Sequence, residues 1–140
     1  MTPTSMSPDV QALFDAASAV MERAYAPYSN FPVGCAIRSA SGVIYAGCNI
    51  ENAAYPQGWC AEASAIAVMV SAGERRIAEV LVISKAPTLA TCCGGCRQKL
   101  REFASLDTII HTCGPEGVRA VLTLDQLLPL SFGPEQLEGF

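Results

Sequence analysis

Apolar residues recur at helical spacing in the first part of the chain and in short runs after it. Between Asp9 and Tyr25 they follow a period of three to four residues, which predicts an amphipathic helix. Two β-branched apolar runs at 32–38 and 43–48 follow, joined by a short turn that contains Gly42. The chain is therefore predicted to begin with a helix and an antiparallel hairpin.

The second half of the chain alternates predicted helices and strands. Residues 61–72 are apolar on nearly all sides, which predicts a buried helix, and 80–83 form a strand that is apolar on both faces, as in a parallel sheet. The remaining predicted elements are a helix, two strands and a short helix, at 94–104, 108–112, 118–122 and 124–128. This order predicts one domain over residues 1–140, an α/β three-layer α/β/α sandwich with a mixed five-stranded sheet.

Composition and charge exclude several classes of function. The net charge is −4 at pH 7 and the longest basic cluster is Arg75-Arg76, so we expect no polynucleotide partner. No apolar run approaches the roughly 18 residues that a membrane span needs, and residues 1–5 do not open an export signal. Hydrophobic residues make up 51% of the chain, which suggests burial between subunits. These features predict a cytoplasmic protein with a small-molecule substrate and no membrane association.

Three of the seven cysteines stand at metal-ligand spacing. Cys93 and Cys96 form a Cys-x-x-Cys motif at the start of one predicted helix, and Cys60 stands at the start of another. Helix N-termini favour thiolates, and three thiolates make a zinc site whose fourth position is open for water. Glu62 follows Cys60 by two residues and is placed to move the protons of that water. The pattern predicts one catalytic zinc ion per subunit.

Two alternatives remain open from spacing alone. The Cys-x-x-Cys pair is also the motif of thioredoxin-like redox proteins. A closed structural zinc site would need a fourth cysteine, for which the candidates are Cys48, Cys92 and Cys113. Neither alternative explains a glutamate at position 62, so we favour catalytic zinc.

Several ordered motifs resemble those of the short, homotetrameric zinc-dependent cytidine deaminases. They are YAPYSNFPVG at 25–34, GCNIENAAYP at 47–56, CAE at 60–62, CGGCRQ at 93–98 and LLPLSF at 127–132. The resemblance implies hydrolytic deamination of cytidine and deoxycytidine in pyrimidine salvage. It implies zinc on Cys60, Cys93 and Cys96, with Glu62 as the proton shuttle.

The resemblance also implies how the nucleoside is held. Asn49 and Glu51 match the ribose-binding pair, Phe31 matches the wall beside the base, and the backbone of Ala61 would hold the amide edge of the pyrimidine.

Other matching residues would serve a different subunit. Ala53 and Tyr55 match residues that reach the sugar from a neighbouring subunit, and Phe132 matches one that packs over the base from another. The resemblance therefore implies a homotetramer with shared active sites.

Three residues near the motifs depart from the family pattern. Ala63 stands where an arginine normally helps to neutralise the thiolates, Cys92 replaces a proline, and Trp59 is unusually large. Arg97 matches a second family arginine and is expected to supply part of the missing compensation. We hypothesise that zinc hydrolysis is retained with an altered balance of charge around the sulfur atoms.

Two rival functions remain open beside deamination of cytidine. One is deamination of a modified cytosine nucleoside, including antibiotics of the blasticidin type. The other is a catalytically silent zinc tetramer with a structural or regulatory role.

Overall fold

The structure, a computed structural model, describes residues 6–138. Residues 1–5, which the sequence predicts not to open an export signal, lie outside that range. The described elements are α1 (Pro8–Met21), β1 (Val33–Ser39), β2 (Ile44–Cys48), α2 (Ala61–Ser71), β3 (Ile77–Ser84), α3 (Gly94–Phe103), β4 (Ala104–Gly114), β5 (Gly117–Thr123) and α4 (Leu124–Leu127). Two short 3₁₀ helices span Tyr55–Gln57 and Pro134–Leu137.

The strands form one mixed sheet in the order β2-β1-β3-β4-β5. β1 pairs antiparallel with β2 and with β3, β3 pairs parallel with β4, and β4 pairs antiparallel with β5. The parallel pair needs a crossover connection, and α3 lies within it. The predicted mixed five-stranded sheet is confirmed.

Helices pack against both faces of this sheet. Because successive strand residues point to opposite faces, Ala36 and Leu81 contact α1, whereas Ile37 and Val82 contact the layer formed by α2, α3 and α4. Leu13, Met69 and Leu100, from three different helices, are fully buried in these two layers of core. The three-layer α/β/α prediction is therefore confirmed.

Several elements differ in length from their predictions because of contacts between distant residues. α1 ends at Met21 rather than at Tyr25, since Tyr25 leaves the helix and forms a bridge with Ile50. β4 begins at Ala104 rather than at 108, since Ala104 pairs with Ile77 at the start of β3. Local sequence carries no signal for either pairing.

One side of α2 is exposed in the single chain. Ala67 and Val68 face solvent, and the exposed fraction of Val68 is 46%, so the prediction of burial on nearly all sides is wrong for one chain alone. Exposed apolar surface of this kind is typical of an interface. Although α2 is strongly apolar, no helix in residues 6–138 has the length and hydropathy required to cross a membrane.

The sheet approaches α2 most closely at Gly47 in β2. A Cβ atom at this position would lie 2.5 Å from the backbone nitrogen of Ala65 and 2.7 Å from the carbonyl carbon of Ser64. Helix backbone cannot move aside as a flexible side chain can, so the absence of a side chain at Gly47 sets the distance between β2 and α2.

We expect Gly47→Ala to lower the free energy of unfolding by about 2 kcal/mol, because the added methyl group displaces α2 from the sheet. Urea denaturation measures this change. The matched control is Gly94→Ala, since a Cβ at Gly94 meets no atom within 4 Å and alanine favours the helix. Equal stability of Gly47→Ala and the wild type would contradict the packing argument.

Candidate active site

The predicted zinc ligands, Glu62 and four of the predicted substrate contacts converge at one edge of the sheet. Ser84 ends β3 and pairs with Val33, which begins β1, while Asn49 directly follows β2 at the same edge. α2 and α3 also start here, so the N-termini of two helices meet the ends of three strands. The topology thus brings together parts of the chain that are distant in sequence.

The three predicted ligands form a compact cluster at these helix starts. Cys60 and Cys93 immediately precede α2 and α3, and Cys96 lies in the first turn of α3. Their sulfur atoms lie within 4.8 Å of one another, and those of Cys60 and Cys93 are 3.9 Å apart. Tetrahedral zinc–thiolate bonds of about 2.3 Å require sulfur separations of about 3.8 Å, so the cluster fits one zinc ion.

The cluster does not support a closed four-cysteine site. Over the described residues 6–138, the metal-ligand group at this position contains three cysteines and none of Cys48, Cys92 or Cys113. A site with three protein ligands keeps one coordination position open, which is typical of catalytic rather than structural zinc.

The surroundings of the thiols differ in how they affect ionisation. Burial raises the pKa of Cys60 and of Cys96, and the carboxylate of Glu62 raises the pKa of Cys96 further. Burial also acts to raise the pKa of Cys93, but hydrogen bonds from the backbone N–H of Cys96 and from the other two thiols lower it below its ordinary value. The expected thiolate-favouring effect therefore holds for Cys93 alone, and the other two thiols need a cation to ionise near neutral pH.

A pocket of about 380 Å³ opens beside the cluster. Glu62 lies in the first turn of α2, is only 4% exposed, and contributes to the wall of this pocket together with Cys60 and Cys93. The same wall contains four of the predicted substrate contacts, namely Phe31, Asn49, Glu51 and Ala61. A carboxylate, a metal-ligand cluster and a cavity of small-molecule size therefore occupy one site.

Asn49 and Glu51 also brace the loop before β1. The side chain of Asn49 accepts a hydrogen bond from the backbone N–H of Val33 and donates one to the carbonyl oxygen of Phe31, each at 2.9 Å. Glu51 accepts hydrogen bonds from the backbone of Tyr28 and from the backbone and hydroxyl of Ser29. Each side chain keeps unused hydrogen-bonding capacity that can face a ligand.

An outer pocket of about 500 Å³ continues from the first and shares Asn49, Glu51 and Cys60 with it. Tyr55 and Trp59 line this outer pocket, and the ring of Tyr55 contacts that of Tyr28 edge to face at 5.6 Å. Of the residues assigned to neighbouring subunits, Tyr55 thus lies near the pocket of its own chain.

Ala53 and Phe132 lie outside both pockets. Ala53 is exposed, and Phe132 is 57% exposed in the segment after α4. The fold of one chain does not bring either residue to its own cavity.

Arg97 donates its hydrogen bonds to oxygen atoms close to the cluster. Its guanidinium donates to the carbonyl oxygens of Cys92 and Leu127, at 2.7 and 2.6 Å, and to the hydroxyl of Thr91 at 2.7 Å. These bonds hold the loop that leads directly into Cys93. Arg97 therefore braces the backbone that carries Cys93, and its expected part in charge compensation stays a prediction.

The structure adds pocket residues that sequence reasoning did not single out. Ser29, Ser84 and Thr91 line the inner pocket. Ser29 lies within one of the matching motifs, and that position could have indicated a role in the pocket. Ser84 and Thr91 lie outside those motifs and reach the pocket only through the topology of the sheet.

Comparison with known proteins agrees with this geometry. Residues 7–112 match the family described as the cytidine and deoxycytidylate deaminase zinc-binding region. The chain belongs to this family. The predicted membership of the cytidine deaminase family is confirmed, and the description of the family as a zinc-binding region agrees with the cysteine cluster.

Relatives within the family cover most of the chain. Cytidine deaminase of Sporosarcina psychrophila is 38% identical over 129 residues, which are 92% of this chain and 95% of that protein. Cytidine deaminase of Mycoplasma pneumoniae is 43% identical over 116 residues, or 81% and 86% of the two chains. The crystal structure of cytidine deaminase from Burkholderia pseudomallei is 36% identical, with a TM-score of 0.84 over 91% of this chain and 100% of that one.

We expect Cys96→Ser to lower zinc affinity at least about 100-fold, because it removes one thiolate from the three-sulfur cluster. Competition with a chromogenic chelator measures the affinity, and elemental analysis gives the zinc content. Cys92→Ala is the matched control, since Cys92 adjoins Cys93 but its thiol lies outside the cluster. Zinc retention by Cys96→Ser equal to that of the wild type would contradict the ligand assignment.

Proposed function

We propose that this protein catalyses the hydrolytic deamination of free cytidine and deoxycytidine to uridine and deoxyuridine, with release of ammonia. The observation that carries the proposal is the buried carboxylate of Glu62 in the same pocket as the three-cysteine cluster. Two relatives of the chain, at 38% and 43% identity, are cytidine deaminases, which supports the proposal. We place the reaction in pyrimidine salvage in the cytoplasm.

The proposed chemistry assigns the proton transfers to Glu62. When bound at the cluster, zinc supplies hydroxide at neutral pH by lowering the pKa of water. The carboxylate of Glu62 takes a proton from the attacking water and delivers it to ring nitrogen N3 as the new C–O bond forms at C4. Glu62 then transfers the hydroxyl proton to the exocyclic amine, the C4–N bond breaks, and ammonia leaves.

Other side chains of the pocket orient the nucleoside in this proposal. Phe31 packs beside the base, and the backbone N–H of Ala61, which begins α2 and has no partner within the helix, donates to the pyrimidine amide edge. Asn49 and Glu51 hydrogen-bond the sugar hydroxyls with the capacity that they do not use on the loop.

The charges of the pocket favour a nucleoside over a nucleotide. Among the described residues, the two pockets are lined by no lysine, arginine or histidine, and their carboxylates are those of Glu51 and Glu62. The Ser29 hydroxyl, through its hydrogen bond, lowers the pKa of Glu51, so this carboxylate stays ionised at neutral pH. A 5′-phosphate would therefore meet like charge without a compensating cation.

We further propose a homotetramer in which each active site is completed by other subunits. Ala53 and Tyr55 would reach the sugar of one neighbour, and Phe132 would cover the base of another. The exposure of these side chains and of the apolar surface around Val68 supports this arrangement.

We expect Glu62→Gln to lower kcat for cytidine about 10³-fold, because glutamine has the shape of glutamate but cannot carry the proton. The decrease in ultraviolet absorbance during deamination, with ammonia release, measures turnover. Zinc content is expected to stay at one ion per chain, which separates lost proton transfer from lost metal.

Glu102→Gln serves as the control, because Glu102 is an exposed glutamate on α3, outside both pockets. Equal turnover by Glu62→Gln and the wild type would refute the mechanism. Stoichiometric zinc without any turnover by the wild type would instead favour the silent zinc tetramer.

A substrate panel tests the pocket charges. We expect kcat/KM for cytidine 5′-monophosphate to be at least about 100-fold lower than for cytidine, because the phosphate faces Glu51. Glu51→Gln is expected to reduce the difference in kcat/KM between cytidine and cytidine 5′-monophosphate, and added salt is expected to reduce it as well. Equal kcat/KM values for cytidine and cytidine 5′-monophosphate would contradict the argument from pocket charge. A higher kcat/KM for a bulkier cytosine nucleoside would favour the rival function, in which a modified nucleoside occupies the outer pocket beside Trp59.

A further inference from the structure

α3 holds the C-terminal segment, defined here as residues 127–138, at successive turns. Gln98 Nε2 donates to the carbonyl oxygen of Phe132 at 2.9 Å, and Arg101 Nε donates to the hydroxyl of Ser131 at 2.8 Å. Arg101 also forms an ion pair with Glu135. The helix that begins at the zinc ligands therefore sets the path of a second functional segment.

The guanidinium of Arg101 is the centre of these contacts. Arg101 is only 6% exposed, which is rare for an arginine without a specific partner. Gly133 lies directly against it, since a Cβ atom on Gly133 would stand 2.4 Å from Arg101 Cζ. The backbone of the C-terminal segment thus packs directly on the guanidinium of Arg101. Any side chain at position 133 would push the segment away from it.

The segment fixed in this way presents its apolar side chains outward. Leu130 adopts a left-handed backbone conformation with φ of 53° and is fully exposed, and Phe132 is 57% exposed. Hydrogen bonds at Ser131 and at the Phe132 carbonyl restrain the backbone on which the ring is carried. An aromatic ring held rigidly on an exposed segment loses little conformational entropy when it contacts a partner.

We propose that Arg101 is a positioning residue for the deamination reaction and acts by holding Phe132 for the active site of a second copy of the chain. The inference rests on the proposed function, in which Phe132 covers the base in a neighbouring pocket. α3 then joins two sites, because its first turn carries ligands of one zinc ion and its later turns hold the ring that serves another subunit.

The test is a double-mutant cycle measured with cytidine. We expect Arg101→Ala and Phe132→Ala each to raise KM about tenfold, with kcat changed less than about threefold. Because Arg101 acts through Phe132, the double variant is expected to resemble Phe132→Ala alone rather than to show the product of the two effects. Zinc content is expected to remain one ion per chain in all three.

Two further variants separate positioning from folding. Glu135→Gln removes the ion pair with Arg101, and because Glu135 is exposed this variant is expected to fold. It is expected to raise KM by a smaller factor than Arg101→Ala does. In a protein that already carries Phe132→Ala, it is expected to leave KM unchanged. Arg75→Ala is the matched control, because Arg75 is exposed and lines the same surface depression as Arg101. Its kinetic constants are expected to equal those of the wild type.

The outcomes distinguish the two proposals. Multiplicative effects of Arg101→Ala and Phe132→Ala, or an effect of Glu135→Gln that persists without the Phe132 ring, overturn the positioning role while leaving deamination intact. Absence of turnover in the wild type overturns the proposed function and this inference with it.

Discussion

The need to hold three thiols around one cation organises this protein. Cys60, Cys93 and Cys96 bring their sulfur atoms within 4.8 Å, and burial raises the pKa of Cys60 and of Cys96, which opposes their ionisation. A bound zinc ion offsets that cost, and the ion can be held only if the starts of α2 and α3 stay together. The sheet edge, the close approach at Gly47 and the hydrogen bonds of Arg97 all serve to keep these helix starts in place.

The surroundings of the cluster depart from the family pattern at position 63. The resemblance suggested that Arg97 would offset part of the missing charge, and in the structure its guanidinium donates hydrogen bonds to two carbonyl groups and a hydroxyl close to the cluster. Ala63 is buried and lines an apolar groove with Trp59. Position 63 therefore contributes packing and no positive charge beside the thiolates.

α3 connects several functions along one short helix. Its start carries two metal ligands, Arg97 braces the loop before them, and Gln98 and Arg101 hold the segment that bears Phe132. A helix is suited to this task because its repeating hydrogen bonds keep the positions of successive turns nearly constant. The polar side of α3 is thus as specific in its contacts as the apolar side that packs on the sheet.

The sequence by itself determined the metal ligands, Glu62 and the order of elements, because Cys-x-x-Cys spacing, helical periodicity and turn residues act over a few neighbouring positions. The family resemblance implied that Asn49 and Glu51 would contact the sugar, but it did not show that they also brace the loop at Val33 and Ser29. Only the tertiary structure decided the shape and charge of the pocket and the partners of Arg97 and Arg101. The hydrogen bonds of Glu51 with Ser29, of Arg97 with Leu127 and of Arg101 with Ser131 join residues that lie 22 to 30 positions apart, which a local pattern does not encode.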